Sequence, residues 1–132
     1  MTVVRLSNGD LFLHSPIKFA STVAEELRDL GRIRHLVSPN QFHYAHIGEW
    51  SKAFPEATTW ASPRVRQRAR ARHADVTFAR DLEADPPEEW RRDMGPDTVS
   101  RWLLQRVHIL PPSFKDADSY RHDHQSRIGH DR

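Results

Sequence analysis

Two histidines, His43 and His46, lie in the most informative stretch of the chain, between Ser38 and Trp50. Neutral imidazoles bind zinc or iron, and the bound metal lowers the pKa of a coordinated water so that hydroxide forms near neutral pH. The two histidines are three residues apart, so they could share one face of a helical turn and bind one ion. The alternative is that both are polar loop residues that hydrogen-bond to backbone groups and fix the turn.

Glu49 and Trp50, which follow the two histidines, are also candidates for chemistry. We expect Trp50 to be a core residue whose indole N–H is satisfied at the edge of the core. We expect Glu49 to be either a solvated helix residue or a first-turn carboxylate favoured by the helix dipole. Neither residue is predicted to be catalytic.

The elements that must position this stretch alternate between strands and helices. Apolar and β-branched runs predict strands at residues 3–6, 11–14, 35–38, 58–61 and 76–78, with a hairpin turn at Asn8-Gly9. Helical spacing predicts three helices: one through Val23, Leu27 and Leu30, one through Ile47, Trp50 and Phe54, and one over residues 63–72. The resulting order predicts an α/β fold, a layered mixed sheet with outer helices.

Local signals predict where two of these helices begin and where the first one ends. Thr22 and Glu25 have the spacing of a capping box, and Gly31 is a natural C-terminal stop. Ser62 followed by Pro63 predicts a side-chain cap with proline in the first turn. Residues 32–34 are expected to link the first helix to the next strand.

Composition limits the classes of protein to which the chain can belong. The 132 residues suffice for one domain, and the absence of cysteine excludes disulfides and thiolate metal sites. No apolar run has the length of a membrane span, and the N-terminus lacks the apolar core of a signal peptide, so we expect a cytoplasmic protein with no membrane partner.

An arginine cluster makes the chain locally basic, although its net charge is only +2. Its members occur at every second position: Arg64, Arg66, Arg68, Arg70 and Arg72. On a helix the first, third and fifth lie along one stripe, and the other two lie nearly opposite. A basic helix can bind phosphates, but no aromatic residue is interleaved with these arginines. The sequence therefore favours a solvated helix, and nucleic acid is not the expected partner.

Several short motifs occur in a fixed order over residues 1–94. They are Leu11-Phe-Leu-His-Ser-Pro16, His35-Leu-Val-Ser-Pro-Asn40, His43, Gly48-Glu-Trp50 and Asp85-Pro-Pro-x-Glu-Trp90. This part of the chain resembles the DUF4336 family, a bacterial family of unknown function with a metallo-β-lactamase-like fold. The resemblance implies a β-layer with helices outside it and a site at the strand ends.

Active hydrolases with the metallo-β-lactamase fold carry the motif H-x-H-x-D-H in the corresponding loop. Set against that motif, Gln41 replaces the first histidine and Ala45 replaces the aspartate, while His43 and His46 remain. The resemblance therefore implies a degenerate relative without a dinuclear site, in which His43 and His46 could still bind one zinc or iron ion.

The resemblance ends near residues 94–96, so we expect residues 1–94 to form a partial metallo-β-lactamase-like domain and residues 95–132 a divergent tail. The tail is expected to be irregular or helical. Asp97 could cap a helix with Val99, Trp102 and Leu103 on one face, and His122, His124 and His130 are either a metal cluster or part of a disordered polar segment.

The divergent tail can be compared with the family through the genetic code. The family continues with a segment like F-F-H-R-P-S-K-T-L. Residues 108–117 can be encoded by codons that, shifted by one base, spell T-S-F-H-R-P-S-K-T-L. We therefore hypothesise that residues from Gly95 onward are out of frame relative to an ancestral gene, which leaves the domain truncated.

The sequence supports three functional hypotheses. The first is a non-catalytic relative of metallo-β-lactamase-fold hydrolases that needs no cofactor. The second is a mononuclear metal-dependent hydrolase that uses His43 and His46. The third is a basic module that binds nucleic acid or protein. A truncated sheet would also expose an edge through which the chain could self-associate.

Overall fold

A computed structural model of the chain describes residues 1–82 and 87–95, which form one mixed sheet and four helices. The strands are β1 Thr2–Arg5, β2 Asp10–His14, β3 Arg32–Ser38, β4 Thr58–Ala61 and β5 Arg80–Asp81, and the helices are α1 Ser21–Leu30, α2 Ile47–Ala53, α3 Val65–Ala71 and α4 Glu88–Met94. The spatial order of the strands equals their chain order. β1 is antiparallel to β2, and the other neighbours are parallel. The predicted α/β class with a mixed sheet is confirmed.

The connection between β1 and β2 is a short hairpin, as predicted. The N–H of Gly9 donates to the carbonyl of Leu6, and the N–H of Leu6 donates to the carbonyl of Asp10. Gly9 has a φ of 87°, whereas Asn8 does not have a positive φ. This pattern is a turn followed by a glycine bulge, so only one of the two turn residues uses the left-handed region.

One face of the sheet, the front face, carries α1, α2 and α3. Each parallel connection moves one strand further in the same direction, and right-handed crossovers then place all three helices on one side. The buried cluster on this face combines strand residues with helix residues, namely Leu11, Leu13, Ile33, Leu36 and Ala61 with Ala24, Leu27, Ile47, Trp50, Val65 and Ala69. Trp50 is fully buried and donates its indole N–H to the carbonyl of Ile17 at 2.7 Å, which confirms its predicted role.

The opposite face, the back face, is covered by α4. Trp90 of α4 packs against Phe12 and Trp60, with ring centroids 4.8 Å apart in each pair. His35 also lies on this face, 5.1 Å from the Trp90 ring. The register between β2 and β3 shifts at Arg34, because Leu11 pairs with Ile33 but Phe12 pairs with His35. This bulge reverses the alternation and places His35 on the back face.

Several predicted element boundaries are wrong. α1 begins at Ser21 after Ala20 with no side-chain cap, so Thr22 and Glu25 do not form a capping box. α3 begins at Val65 after Arg64; the carbonyl of Ser62 accepts the N–H of Val65, but the Ser62 side chain makes no cap hydrogen bond. Residues 32–34 belong to β3 and are not a linker.

The last strand and the segment after it also differ from the prediction. The strand expected at residues 76–78 lies instead at Arg80–Asp81. Phe78 is still buried, since it packs into the front cluster from an irregular segment. α4, from Glu88 to Met94, is a fourth helix beyond the three that helical spacing predicted.

Gly31 ends α1 for a different reason from the one expected. Its φ of 164° is extended, not left-handed. A side chain at this position would overlap with the carbonyl oxygen of Gly9 in the hairpin. The glycine is therefore required by close packing between the helix end and the β1–β2 turn.

The predictions for Asp97, Val99, Trp102, Leu103, His122, His124 and His130 concern positions outside the described residues. Within residues 1–82 and 87–95, no helix is both long and apolar enough to cross a membrane.

Candidate functional site

Several polar side chains lie together at the carboxyl ends of three adjacent parallel strands. β2 ends at His14, β3 at Ser38 and β4 at Ala61. The loops that follow are tied together, since the N–H of Ser15 donates to the carbonyl of Val37 and the N–H of Ser62 donates to the carbonyl of Ser38. Ligand sites of open α/β sheets occur at this edge, which makes the edge the candidate site.

The loop that carries His43 is fixed by its own side chains. The Oδ1 atom of Asn40 accepts the N–H of Phe42 at 2.9 Å and the N–H of His43 at 3.2 Å. The hydroxyl of Ser38, which is fully buried, donates to the carbonyl of Asn40 at 3.0 Å. Asparagine in this role makes a local turn by replacing a backbone acceptor.

His46 is joined to a carboxylate. Its Nδ1 atom lies 3.5 Å from Oε2 of Glu49, and the two side chains are 41% and 48% exposed. The same carboxylate oxygen accepts the N–H of Phe19 at 3.0 Å. That backbone hydrogen bond lowers the pKa of Glu49; desolvation opposes the shift, and the nearby His46 adds to it. Glu49 therefore connects the start of α2 to the loop after β2.

His14 is a member of the site that the sequence analysis did not single out for chemistry. Burial, with smaller contributions from His43 and the N-terminal amino group, lowers its pKa to about 4. Its Nδ1 atom lies 3.3 Å from the hydroxyl of Ser15, whose φ is 54°. His14 is thus a neutral imidazole at physiological pH, close to His43. Its position as the last residue of a parallel strand is the signal that could have identified it.

The predicted ligands His43 and His46 thus lie in two different settings, the first near His14 and the second paired with Glu49. Within residues 1–82 and 87–95, no group of three or more histidine, aspartate or glutamate side chains is arranged to hold a metal ion. Structural zinc sites use four protein ligands and catalytic sites commonly use three. The described residues therefore offer at most a partial coordination set at this edge.

The end of β4 adds one buried hydroxyl and one strained arginine. Ser62 is 4% exposed, and its hydroxyl has no hydrogen-bond partner among the described residues. Arg64 has a φ of 70°, in the left-handed region that non-glycine residues rarely occupy.

A second buried histidine, His35, lies on the back face and was also missed by the sequence analysis. Its Nδ1 atom accepts the indole N–H of Trp60 at 3.3 Å, and its Nε2 atom lies 3.2 Å from Oε1 of Glu89. Because Nδ1 accepts, the ring proton is on Nε2 and points to the carboxylate. Burial lowers the pKa of His35, and Glu89 opposes that shift. These contacts hold α4 against the sheet, so we assign His35 a structural role.

Comparison with known proteins gives one match. The family model for a domain of unknown function, DUF4336, matches residues 1–66, half of the chain. The matched region runs from β1 to the first turn of α3. It contains the whole loop between β3 and α2, residues 39–46, which we call the strand-end loop. No curated protein and no solved structure matches the chain.

Proposed function

The chain belongs to the DUF4336 family, and from that premise we propose that it is a non-catalytic binding domain related to metallo-β-lactamase-fold hydrolases. In this proposal the strand-end loop no longer carries a catalytic metal. Gln41 and Ala45 stand where active hydrolases have two of their ligands. The layered sheet keeps the loop at the carboxyl ends of the strands, where a ligand would be bound.

One observation carries the proposal: the polar groups of the loop are used to hold the loop itself. The Asn40 side chain satisfies two loop N–H groups, and His46 contacts the carboxylate that binds the Phe19 N–H. These contacts support a loop conformation that its own side chains hold.

Metal analysis of the purified full chain tests the proposal. Protein expressed with added zinc and iron would be analysed by mass spectrometry for metal per chain. We expect far less than one equivalent in the wild type, in His43→Ala and in a matched surface control, His73→Ala. One equivalent of zinc or iron in the wild type and in His73→Ala, but not in His43→Ala, would overturn the proposal.

A second candidate function is a mononuclear metal-dependent hydrolase that uses His43 and His46, which lie three residues apart at the carboxyl end of β3. A neutral imidazole is the form that binds zinc or iron. In this candidate His43 and His46 would bind one ion, which would activate water for hydrolysis. Metal content that falls in His46→Ala as well as in His43→Ala, together with hydrolysis of ester or phosphodiester substrates, would support it.

A further inference from the structure

Phe42 is an exposed aromatic ring in the strand-end loop. Its exposed fraction is 57%, although Phe is an apolar residue. The guanidinium of Arg68, on α3, lies 5.2 Å from the centre of the ring. The fold thus places an aromatic side chain from the strand-end loop beside the arginine cluster. The cluster itself has no aromatic residue interleaved with its arginines. Proteins that bind single-stranded nucleic acid combine aromatic side chains, on which bases stack, with cation–π contributions from arginine.

Among residues 1–82 and 87–95, few carboxylates lie close enough to compensate the positive charge of the cluster. Residues 62–73 contain five arginines and no acidic residue. Arg66 pairs with Asp81 at 2.6 Å and also donates to the carbonyl of Phe78. In the part of the chain that the structure describes, none of the other four arginines has a carboxylate within ion-pair distance. With respect to the described residues, four guanidiniums therefore have no carboxylate partner that would compete with an anionic ligand.

Three of these arginines are spaced four residues apart along α3 and its ends. Arg64 and Arg72 flank the helix and are exposed, and Arg68 lies between them beside Phe42. A helix rises 1.5 Å per residue, so the three positions span about 12 Å. Arg64 has left-handed backbone geometry that glycine would adopt at lower cost.

We propose that Phe42 together with Arg64, Arg68 and Arg72 forms a binding surface for single-stranded nucleic acid. The guanidiniums would bind successive phosphates, and an unpaired base would stack on the Phe42 ring. Aromatic stacking requires a base that is free of its duplex partner, so single strands are favoured over duplexes. The proposal goes beyond the binding domain proposed above and does not depend on the metal content of the strand-end loop.

Fluorescence anisotropy with labelled oligouridylate and oligothymidylate tests this surface in the full-length chain. We expect binding at low salt, with a slope of log K against log salt of about −2 for three phosphate contacts. Arg68→Ala should weaken binding and make the slope less steep by about 0.7. Phe42→Ala should weaken binding about tenfold at unchanged slope, while Phe42→Trp should retain binding because the larger ring still stacks.

Arg70→Ala is the matched control, because Arg70 lies on α3 but on the side away from the stripe. It removes the same charge, so we expect a clearly smaller loss of affinity than Arg68→Ala produces. Thermal unfolding of each variant checks that the fold is intact. No binding at low salt would overturn the proposal, as would equal losses in Arg68→Ala and Arg70→Ala, unchanged affinity in Phe42→Ala, or tighter binding of a duplex than of a single strand.

Discussion

Asn40 holds the strand-end loop because its carboxamide oxygen accepts two consecutive backbone N–H groups. Those N–H groups begin the turn that leads to His43 and then to α2. Without an acceptor they would have to find water, and the turn would lose the hydrogen bonds that fix it. At the residue scale, the conformation of the candidate site therefore depends on one side chain that is neither a metal ligand nor a catalytic group.

Replacement of Asn40 tests that dependence. Asn40→Ala should lower the free energy of unfolding by about 1 kcal/mol, the usual effect of losing a side-chain acceptor at such a turn. Asn40→Asp keeps the acceptor oxygen and should lose much less. Urea denaturation followed by tryptophan fluorescence measures both changes. Equal losses in the two variants would show that the acceptor is not what matters.

The buried histidines predict a dependence of stability on pH. Burial lowers the pKa of His35 from its ordinary value of 6.5, and burial lowers the pKa of His14 to about 4. Between the folded and unfolded pKa values the unfolded chain binds more protons, so stability is full above pH 6.5 and falls as the pH drops toward 4. Because the His14 ring is partly solvated, we expect its share to be about 1–2 kcal/mol.

Denaturation curves collected across this pH range test the prediction. The groups that face His35 are Glu89, Asp10 and Arg34, so the variant His35→Gln removes the titrating ring while retaining those neighbours. We expect His35→Gln and His14→Asn each to reduce the decrease in the free energy of unfolding that occurs as the pH falls. A pH profile that neither variant changes would assign the loss to other groups.

At the scale of elements, a glycine of α2 allows that helix to pack closely against the segment that leads to β5. A side chain at Gly48 would overlap with the carbonyl oxygen of Asp75, so the helix can approach this segment only without one. Lys52 of the same helix also pairs with the carboxylate of Asp75. The same two segments are thus joined by a close backbone contact and by an exposed ion pair. The contributions of these two contacts to stability can be compared by mutation.

Gly48→Ala should destabilise the protein, although alanine is the better helix former. The gain in helix propensity is about 1 kcal/mol, whereas accommodating the new methyl group requires a backbone shift that costs about 1–3 kcal/mol. We therefore expect a net loss. Lys52→Ala, which removes the exposed ion pair, should cost less than about 1 kcal/mol. Thermal denaturation compares the two, and a stabilised Gly48→Ala would contradict the packing.

Periodicity and turn chemistry predicted most of these elements, but not their exact limits. The Asn8-Gly9 turn and the face formed by Ile47 and Trp50 are encoded by residues close together in the chain, and the structure contains both. The bulge at Arg34 and the position of β5 depend on pairing with a neighbouring strand, which no local pattern encodes. The capping patterns failed because each helix begins at a different residue from the one that the cap implied.

At the scale of the whole molecule, the candidate site is assembled from loops that are distant in the chain. The spacing of His43 and His46 identified them as candidates. It could not predict which residues from other loops lie beside them. His14 lies near His43 and Phe19 is linked to Glu49 because adjacent parallel strands end at one edge. Phe42 and Arg68 come together in the same way. Such contacts follow from topology, so they appear only once the order of the strands is known.

The gene itself tests the hypothesis that the tail is out of frame. We expect the codons for residues 108–117 to spell T-S-F-H-R-P-S-K-T-L, or a close variant, when read one base later. Resequencing of the gene around the codon for Met94 and through this segment is the measurement. Codons that spell an unrelated peptide in the shifted frame would refute the hypothesis and leave residues 95–132 as a true variant of the domain.

The most direct test of the central claim, that the strand-end loop is stable without a metal, is thermal unfolding of the full chain with and without metal. A ligand that binds only the folded state raises its stability in proportion to the logarithm of ligand concentration over Kd. We predict the same Tm in excess EDTA and in added zinc. A Tm several degrees higher in zinc, lost in His43→Ala but retained in His73→Ala, would contradict the account.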